Sequence, residues 1–331
     1  MKAFVHSGKP GFENTYLTNI EKGEPQEGEV IVRLKTAGLN HRDKWNLYRR
    51  SENAPPVVLG SDGAGVIEEI GEGVMNIQIG DEVIINPSLN WRVKSDSPPG
   101  NFEIIGVPGH GTFAEYITIP ATNVEPKPRF LSWEESGVLS LAALTAFRAL
   151  FTRGGLKADQ TVLIPGIGSG VATFLLLMAK AAGARAIVTS RSEKKCERAI
   201  ELGADMAIKS DKDWKKELVN EKIDLIIDSV GPAIWEKALS VLRVGGTLVN
   251  FGATTGDDVK INLRNLYFGQ YNLLGTTMGS TEEYKEMLKF IERYEIRPVI
   301  DKVFHHADSK EAFLHMNEGS HFGKICIKID W

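Results

Sequence analysis

In the first third of the chain, apolar and polar positions alternate with a period of two. Residues 30–35 (VIVRLK) and 116–119 each put their apolar side chains on one face. Residues 66–70 and 83–85 are short apolar runs, punctuated by Gly71, Gly73 and Gly80. Short strands separated by glycine turns predict a β-rich, barrel-like unit. Residues 86–108 are polar and aperiodic, and a connection of that length is expected to be functional or mobile. From about Leu131 the period changes. Ser132, with Glu135 three residues on, has the spacing of a capping box. A helix is predicted from Trp133 into the 150s, broken near Gly137 and ended at Gly154 and Gly155. Strands are then predicted at 161–164, 186–190, 206–209, 223–230, 246–252 and 271–277, with helices at 170–182 and 193–202. Residues 223–230 are almost continuously apolar, as a strand covered on both faces should be. This order predicts an α/β fold with a doubly wound, parallel, six-stranded sheet. A helix to about Tyr294 follows. The last strand, 324–329, is expected to return to the first unit, because the parallel sheet is already complete.

A chain of 331 residues is too long for one core, and two domains are expected. The change of period places them at 1–125 with 279–331, and at 126–278. With 39 basic against 43 acidic residues and a net charge of −4, neither nucleic acid nor an anionic membrane is an expected partner. Residues 1–10 lack the apolar core of a secretory leader, and the longest apolar helical run, ending at Lys180, is short of a membrane span. The two cysteines, Cys196 and Cys326, fall in different predicted elements without Cys-x-x-Cys spacing. They make neither a disulfide framework nor a thiolate cage, and a reduced, cytoplasmic setting is expected.

The stretch VLIPGIGSGVA joins the first strand of the predicted sheet to its helix. Gly166, Gly168 and Gly170 allow a tight turn and close backbone approach. Ser169, Gly170 and Val171 open a helix whose free N–H groups suit a pyrophosphate. Val171 stands where the strict G-x-G-x-x-G pattern has its third glycine, so the motif is carried by its strand–turn–helix context. At the end of the second strand, an acid would bind the ribose hydroxyl of NAD. Here Ser190 and Arg191 stand there, with Lys194 and Lys195 behind. A hydroxyl and a guanidinium accept a 2′-phosphate, which points to NADP(H); the plainer alternative is a solvated, basic helix start.

The order of parts resembles the medium-chain dehydrogenase/reductase superfamily over essentially the whole chain. The markers are AGLNHRD (37–43), GSDGAGVIEEIGEGV (60–74), GDEVI (80–84), GTFAEY (111–116) and LTAFRAL (144–150). The resemblance implies a GroES-like β-barrel domain, a Rossmann domain and homodimers joined at sheet edges. Zinc-holding members place their catalytic metal on residues that correspond to Asn40, Ser61 and Leu141. None of these is a usual zinc ligand. Their structural zinc uses four cysteines in the long loop, and residues 86–108 contain none. Both metals are expected to be absent. His41, Asp43 and Asp62 offer donors in principle, and a hydrogen-bonded turn network is the plainer reading of them. The chain resembles instead the zinc-free quinone oxidoreductases and enone reductases, whose acceptors are activated by conjugation.

That resemblance assigns roles. Asn40 is a candidate donor to a developing oxyanion, with a turn-capping side chain as the equal alternative. Asp43 and Asp62 form a candidate orienting pair. Tyr48 is a candidate proton donor unless it simply faces solvent. His41 corresponds to a residue at the cofactor pyrophosphate, and Thr145 to one beside the nicotinamide. Phe251, Gly252 and Ala253, with Thr276, Thr277 and Met278, follow strand ends and are expected to line the nicotinamide pocket. Lys324 is expected either to reach a phosphate or to flank its strand. Trp45, Asn86 and Trp91 are candidates for shaping substrate access. The expectation is an NADP(H)-dependent, zinc-independent oxidoreductase acting on a quinone or an α,β-unsaturated carbonyl. A zinc-type alcohol or aldehyde dehydrogenase with a relocated metal, and an NADPH-binding sensor or scaffold, are the alternatives.

Overall fold

A computed structural model describes residues 1–330, which form two compact units: 1–142 with the segment from Gly279 onward, and Ala143–Met278. The first unit is organised by the eleven-residue strand Glu29–Leu39. It pairs antiparallel with Asp62–Ile70 along its length, with Tyr116–Pro120 at its start and with Lys324–Lys328 at its end. The sheet continues through Glu82–Ile85 to Val124–Pro126 on one side and to Ile300–His305 on the other. The last strand therefore does join the first unit. Val30, Val32 and Leu34 alternate into a core shared with Phe4, Phe113 and Phe313, where the edge of Phe113 meets Phe313.

The second unit is a six-stranded parallel sheet. Its spatial order is Met206–Lys209, Arg185–Ser190, Thr161–Pro165, Ile223–Asp228, Leu242–Asn250, Asn272–Gly275. Leu163, Ile187, Ile226 and Leu248 are fully buried in it. The order reverses at Thr161–Pro165, so the glycine turn that follows this strand lies at the topological switch point, where such sheets bind ligands.

Four features differ from the expectation. The predicted helix is broken at Gly137 as expected, into Trp133–Gly137 and Ser140–Phe147, but it ends in a π-helical run, Arg148–Arg153. The first break falls at Gly137 because a Cβ there would lie 2.2 Å from Thr36 Oγ1, so only a glycine lets this helix sit on the strand. That packing also carries residues 126–142 into the first unit, against a boundary expected at 125. Within 86–108, two short strands, Ser88–Leu89 and Glu103–Ile104, pair with each other, and buried Trp91 packs edge-on against Phe102. Helices His41–Arg49, Pro232–Val241, Leu263–Gly269 and Ser309–Glu318, strand Ile300–His305 and the hairpin of Lys2–His6 with Thr15–Asn19 were not anticipated. His41–Arg49 buries only Asp43 and Leu47, too few apolar positions for a helical period. No helix among the described residues is long and apolar enough to cross a membrane.

Gly65 shows how closely the central strands approach: a Cβ on it would lie 2.2 Å from the Arg33 carbonyl oxygen. Backbone cannot yield as a flexible side chain does. Gly65→Ala is therefore expected to lower unfolding free energy by about 2 kcal/mol or more, read as a fall in the urea midpoint.

Candidate active site

The turn that opens helix His41–Arg49 collects the buried charges of the first unit. The Asn40 backbone N–H donates to Asp43 Oδ2 at 2.8 Å, and the Asp43 N–H donates back to Asn40 O at 3.0 Å. Asp43 is buried, and that burial pushes its carboxyl up to about 6, against the opposing pull of Arg42. Asp62 starts its strand beside this turn, fully buried. Its Oδ1 accepts the Leu141 N–H at 2.6 Å, and its Oδ2 accepts from Asn40 Nδ2 at 3.0 Å and from Lys324 Nζ at 3.1 Å. Lys324, 3% exposed, also donates to Asn40 Oδ1 at 2.5 Å and to Leu39 O at 3.1 Å. Asn40 Nδ2 further contacts Gly38 O at 3.3 Å.

Next in sequence, Arg42 reaches across to a second node. Its Nη1 donates to Ser61 Oγ at 2.7 Å and to Ile105 O at 2.9 Å, and Ser61 Oγ donates to the same carbonyl at 2.7 Å.

These bonds decide between the readings left open by sequence. An ammonium has three hydrogens, and Lys324 spends all of them inside the protein, so it does not reach out to a phosphate. Asn40 spends both amide hydrogens, so it is not poised to donate to a substrate oxygen; it is a positioning group. Tyr48 lies on the same helix, 51% exposed, with no hydrogen bond to the cluster. His41, the first helical residue, is exposed, its ring 5.9 Å from that of His321. Trp45 lies at the surface under Lys44. Asn86 is buried and accepts the Ser88 N–H at 3.1 Å, a turn role, and Trp91 is core; neither is an access side chain.

In the second unit, Gly166 and Gly168 adopt φ of 75° and 118°, open only to glycine at low cost. Ser169 caps helix Gly170–Ala181 by accepting the Ala172 N–H at 3.2 Å, which leaves the amides of Gly170 and Val171 at the helix start. A Cβ on Gly168 would lie 3.1 Å from Lys195 Nζ, so this ammonium rests on the glycine turn. Ser190 is buried at its strand end, and its Oγ accepts the Ser192 N–H at 3.2 Å; Arg191 is exposed. Beyond the next strand ends, Phe251 donates its N–H to Asp228 O, Asn250 Nδ2 holds Gly252 O, and Thr276 N–H holds Asn250 O, all at 2.9 Å. Ala253 follows this turn. Thr145 Oγ1 lies 3.9 Å from the sulfur of buried Met278. The candidate cofactor residues from Gly166 to Met278 thus follow the carboxyl ends of the parallel strands.

Residues 26–129 match the family described as alcohol dehydrogenase GroES-like domain, and residues 170–293 match zinc-binding dehydrogenase. A zinc-type alcohol dehydrogenase-like protein, YogA, of Leptosphaeria maculans is 35% identical, covering 95% of this chain and 94% of its own. The chain belongs to the medium-chain dehydrogenase/reductase superfamily. A crystal structure of an NAD-dependent alcohol dehydrogenase superposes with a TM-score of 0.92 at 32% identity over the whole of both chains. An acryloyl-coenzyme A reductase of Sulfurisphaera tokodaii is 27% identical over 99% of this chain and all of its own. This chain is accordingly an oxidoreductase of a nicotinamide dinucleotide-dependent class.

The name of the second matched family implies a zinc, and the residues present do not fit one. Asn40 has its amide committed to Asp62 and Lys324. Ser61 Oγ already faces the Arg42 guanidinium at 2.7 Å, a cation where a ligand would face one. Leu141 supplies only a backbone N–H. Among the described residues, one group of His, Cys, Asp or Glu brings ligand atoms within 4.8 Å: His305, His306 and Asp330. His305 Nδ1 accepts the Ala307 N–H at 3.2 Å, which leaves the ring proton on Nε2, the atom 2.9 Å from Asp330. That nitrogen then has no lone pair for an ion.

Two outcomes follow from the cluster. Lys324→Met leaves a carboxylate buried without its counter-charge, and is expected to cost about 3–5 kcal/mol in denaturant unfolding. For Asp43, the folded carboxyl near 6 lies above its ordinary value of 3.8. The native state binds the extra proton between those values, so stability falls as pH rises through about 4 to 6 and is level above. Asp43→Asn removes that slope. Its stability relative to the parent should rise by up to about 3 kcal/mol from pH 4 to pH 7, and a pH-independent difference would refute the assignment.

Proposed function

We propose that this chain is a zinc-independent, NADP(H)-dependent reductase of α,β-unsaturated carbonyls or quinones. The observation that carries the reading is the donor set: two of the three positions that hold zinc elsewhere in the superfamily are locked by side-chain cations, Lys324 on Asn40 and Arg42 on Ser61, and the third is Leu141. A site polarised by hydrogen bonds rather than by a Lewis acid favours an acceptor whose π system already lowers the barrier to hydride addition. The relative named for acryloyl-coenzyme A reduction supports this acceptor class.

The cofactor, when bound, would supply a hydride. The turn of Gly166 and Gly168, the helix start at Ser169, Gly170 and Val171, and Lys195 suit its pyrophosphate. Ser190 and Arg191 suit a 2′-phosphate. Thr145, Phe251–Ala253, Thr276 and Met278 suit the nicotinamide, where the buried Thr276 Oγ1, with no partner among the described residues, is a hydrogen-bonding group still to be satisfied. His41 is retained as a pyrophosphate contact. Asp43 and Asp62 hold the substrate turn, and the proton returns from water or from Tyr48. Strand Asn272–Gly275 ends the parallel sheet, and its exposed edge supports pairing with a second copy as a homodimer.

Purified protein held in chelator should oxidise NADPH with enals, enones or quinones at an undiminished rate. Activity confined to simple alcohols and dependent on added zinc would overturn the reading. Arg191→Ala should raise KM for NADPH by about tenfold or more and leave KM for NADH within twofold, as the loss of one charge-assisted hydrogen bond predicts.

A further inference from the structure

We infer that the guanidinium of Arg42 is the electrophile of this site and takes the carbonyl oxygen of the substrate. The inference rests on the reading above for its reaction class, and on separate geometry for its residue. Arg42 is a rigidly anchored cation: Nη1 is held by Ser61 Oγ at 2.7 Å and Ile105 O at 2.9 Å, and these two acceptors are joined to each other at 2.7 Å. Ser61 is fully buried, so the anchor does not wander with solvent.

The count of donors then singles Arg42 out. A guanidinium has five N–H groups. Two are used by the anchor, and those on Nε and Nη2 have no protein acceptor among the described residues. Around the same turn the buried amide and ammonium donors are exhausted. Asn40 has spent both amide hydrogens and Lys324 all three of its own. Tyr48 is half exposed on the same helix and unconnected to the cluster. Arg42 is thus the group beside Asn40 and Ser61, two of the three vacated ligand positions, that combines a fixed positive charge with donors to spare. Its neighbours in charge are Asp43 and Asp62. Both are turned to other partners: Asp43 to the Asn40 N–H, Asp62 to Leu141, Asn40 and Lys324.

The chemistry fits such a group. As hydride forms a C–H bond at the β-carbon, the C=C electron pair moves to the α-carbon–carbonyl bond, and the carbonyl π pair moves to oxygen. The enolate oxygen so formed accepts N–H bonds from Nε and Nη2, which gain strength as its charge grows. Arg42 stays protonated throughout. The α-carbon then takes a proton from water; the hydride would come from the reduced cofactor, which would be left oxidised by two electrons.

The test uses the full chain with NADPH and crotonaldehyde. Arg42→Gln should lower kcat by about 10²–10³-fold with KM for NADPH within twofold. Arg42→Ala should recover activity with added guanidinium and not with urea. A kcat for Arg42→Gln within threefold of the parent overturns the inference. Should the glutamine variant not fold, Arg42→Lys, which keeps charge but loses the planar fork, should still lose at least tenfold, and full activity in it overturns the inference as well. A second measurement separates this inference from the reaction class. Binding of crotonate to the protein loaded with NADP+, followed by calorimetry, should weaken at least tenfold in Arg42→Gln. If the parent turns over only alcohols with zinc while crotonate binding still depends on Arg42, the reductase reading falls and the oxygen-binding role stands. If crotonate binds equally to parent and variant, or to neither, the role is overturned.

Discussion

A carboxylate can stay charged inside a protein only when its neighbours replace the water it has lost, and Asp62 is such a carboxylate. Lys324 is its counter-ion, Asn40 bridges the two, and the Leu141 N–H takes its other oxygen. These groups come from the end of one strand, the start of a second, the start of the last and the segment after a broken helix. No pair of them is close in sequence. Satisfying one buried charge therefore pins four distant pieces of chain at the same end of the sheet. A desolvated ion pair gains little over an apolar substitute, but losing one partner is costly. Its value here is positional: it holds the turn that carries Asn40, Arg42 and Asp43.

The same cluster sets the electrostatics of the candidate site. In zinc-holding members of the superfamily a dication on neutral and thiolate ligands supplies the polarising charge. Here two monovalent cations stand beside the corresponding positions, each already paired or anchored. On the proposed reading the charge that remains available is that of one guanidinium, directional and never deprotonated. Such a group stabilises an oxygen that is gaining charge, and it suits acceptors in which conjugation has done part of the activation.

The Rossmann unit follows a more local logic. Glycines at positive φ turn the chain sharply after the first strand, and the helix that follows presents its free amides at once. Lys195, on the next helix, lies back over Gly168, adding a cation to the dipole end of the first helix. The strand–turn–helix period, the glycine spacing and the run of basic residues were all readable in order along the chain, because each concerns neighbours within about thirty residues.

The sequence alone therefore determined the alternating strands of the first unit, the six-strand parallel order of the second, the glycine turn and the break at Gly137, since all of these follow from local period and backbone freedom. It also put Asn40, Ser61 and Leu141, none a usual zinc ligand, at the positions that the resemblance gives to the metal, since residue type is read directly. What it could not determine was which donor meets which acceptor. Lys324 read as either a phosphate contact or a strand flank, because nothing local reveals that its strand pairs with Glu29–Leu39 beside Asp62, 262 residues away in sequence. Arg42 stood in a marker stretch with no role of its own, and only the approach of Ser61 and Ile105 shows it anchored. Residues 86–108 read as an open loop because Trp91 and Phe102 meet only after folding. Tertiary structure decided these matters for one physical reason: a buried hydrogen bond is chosen by which groups lose water together, and the pairing of distant strands sets that, not spacing along the chain.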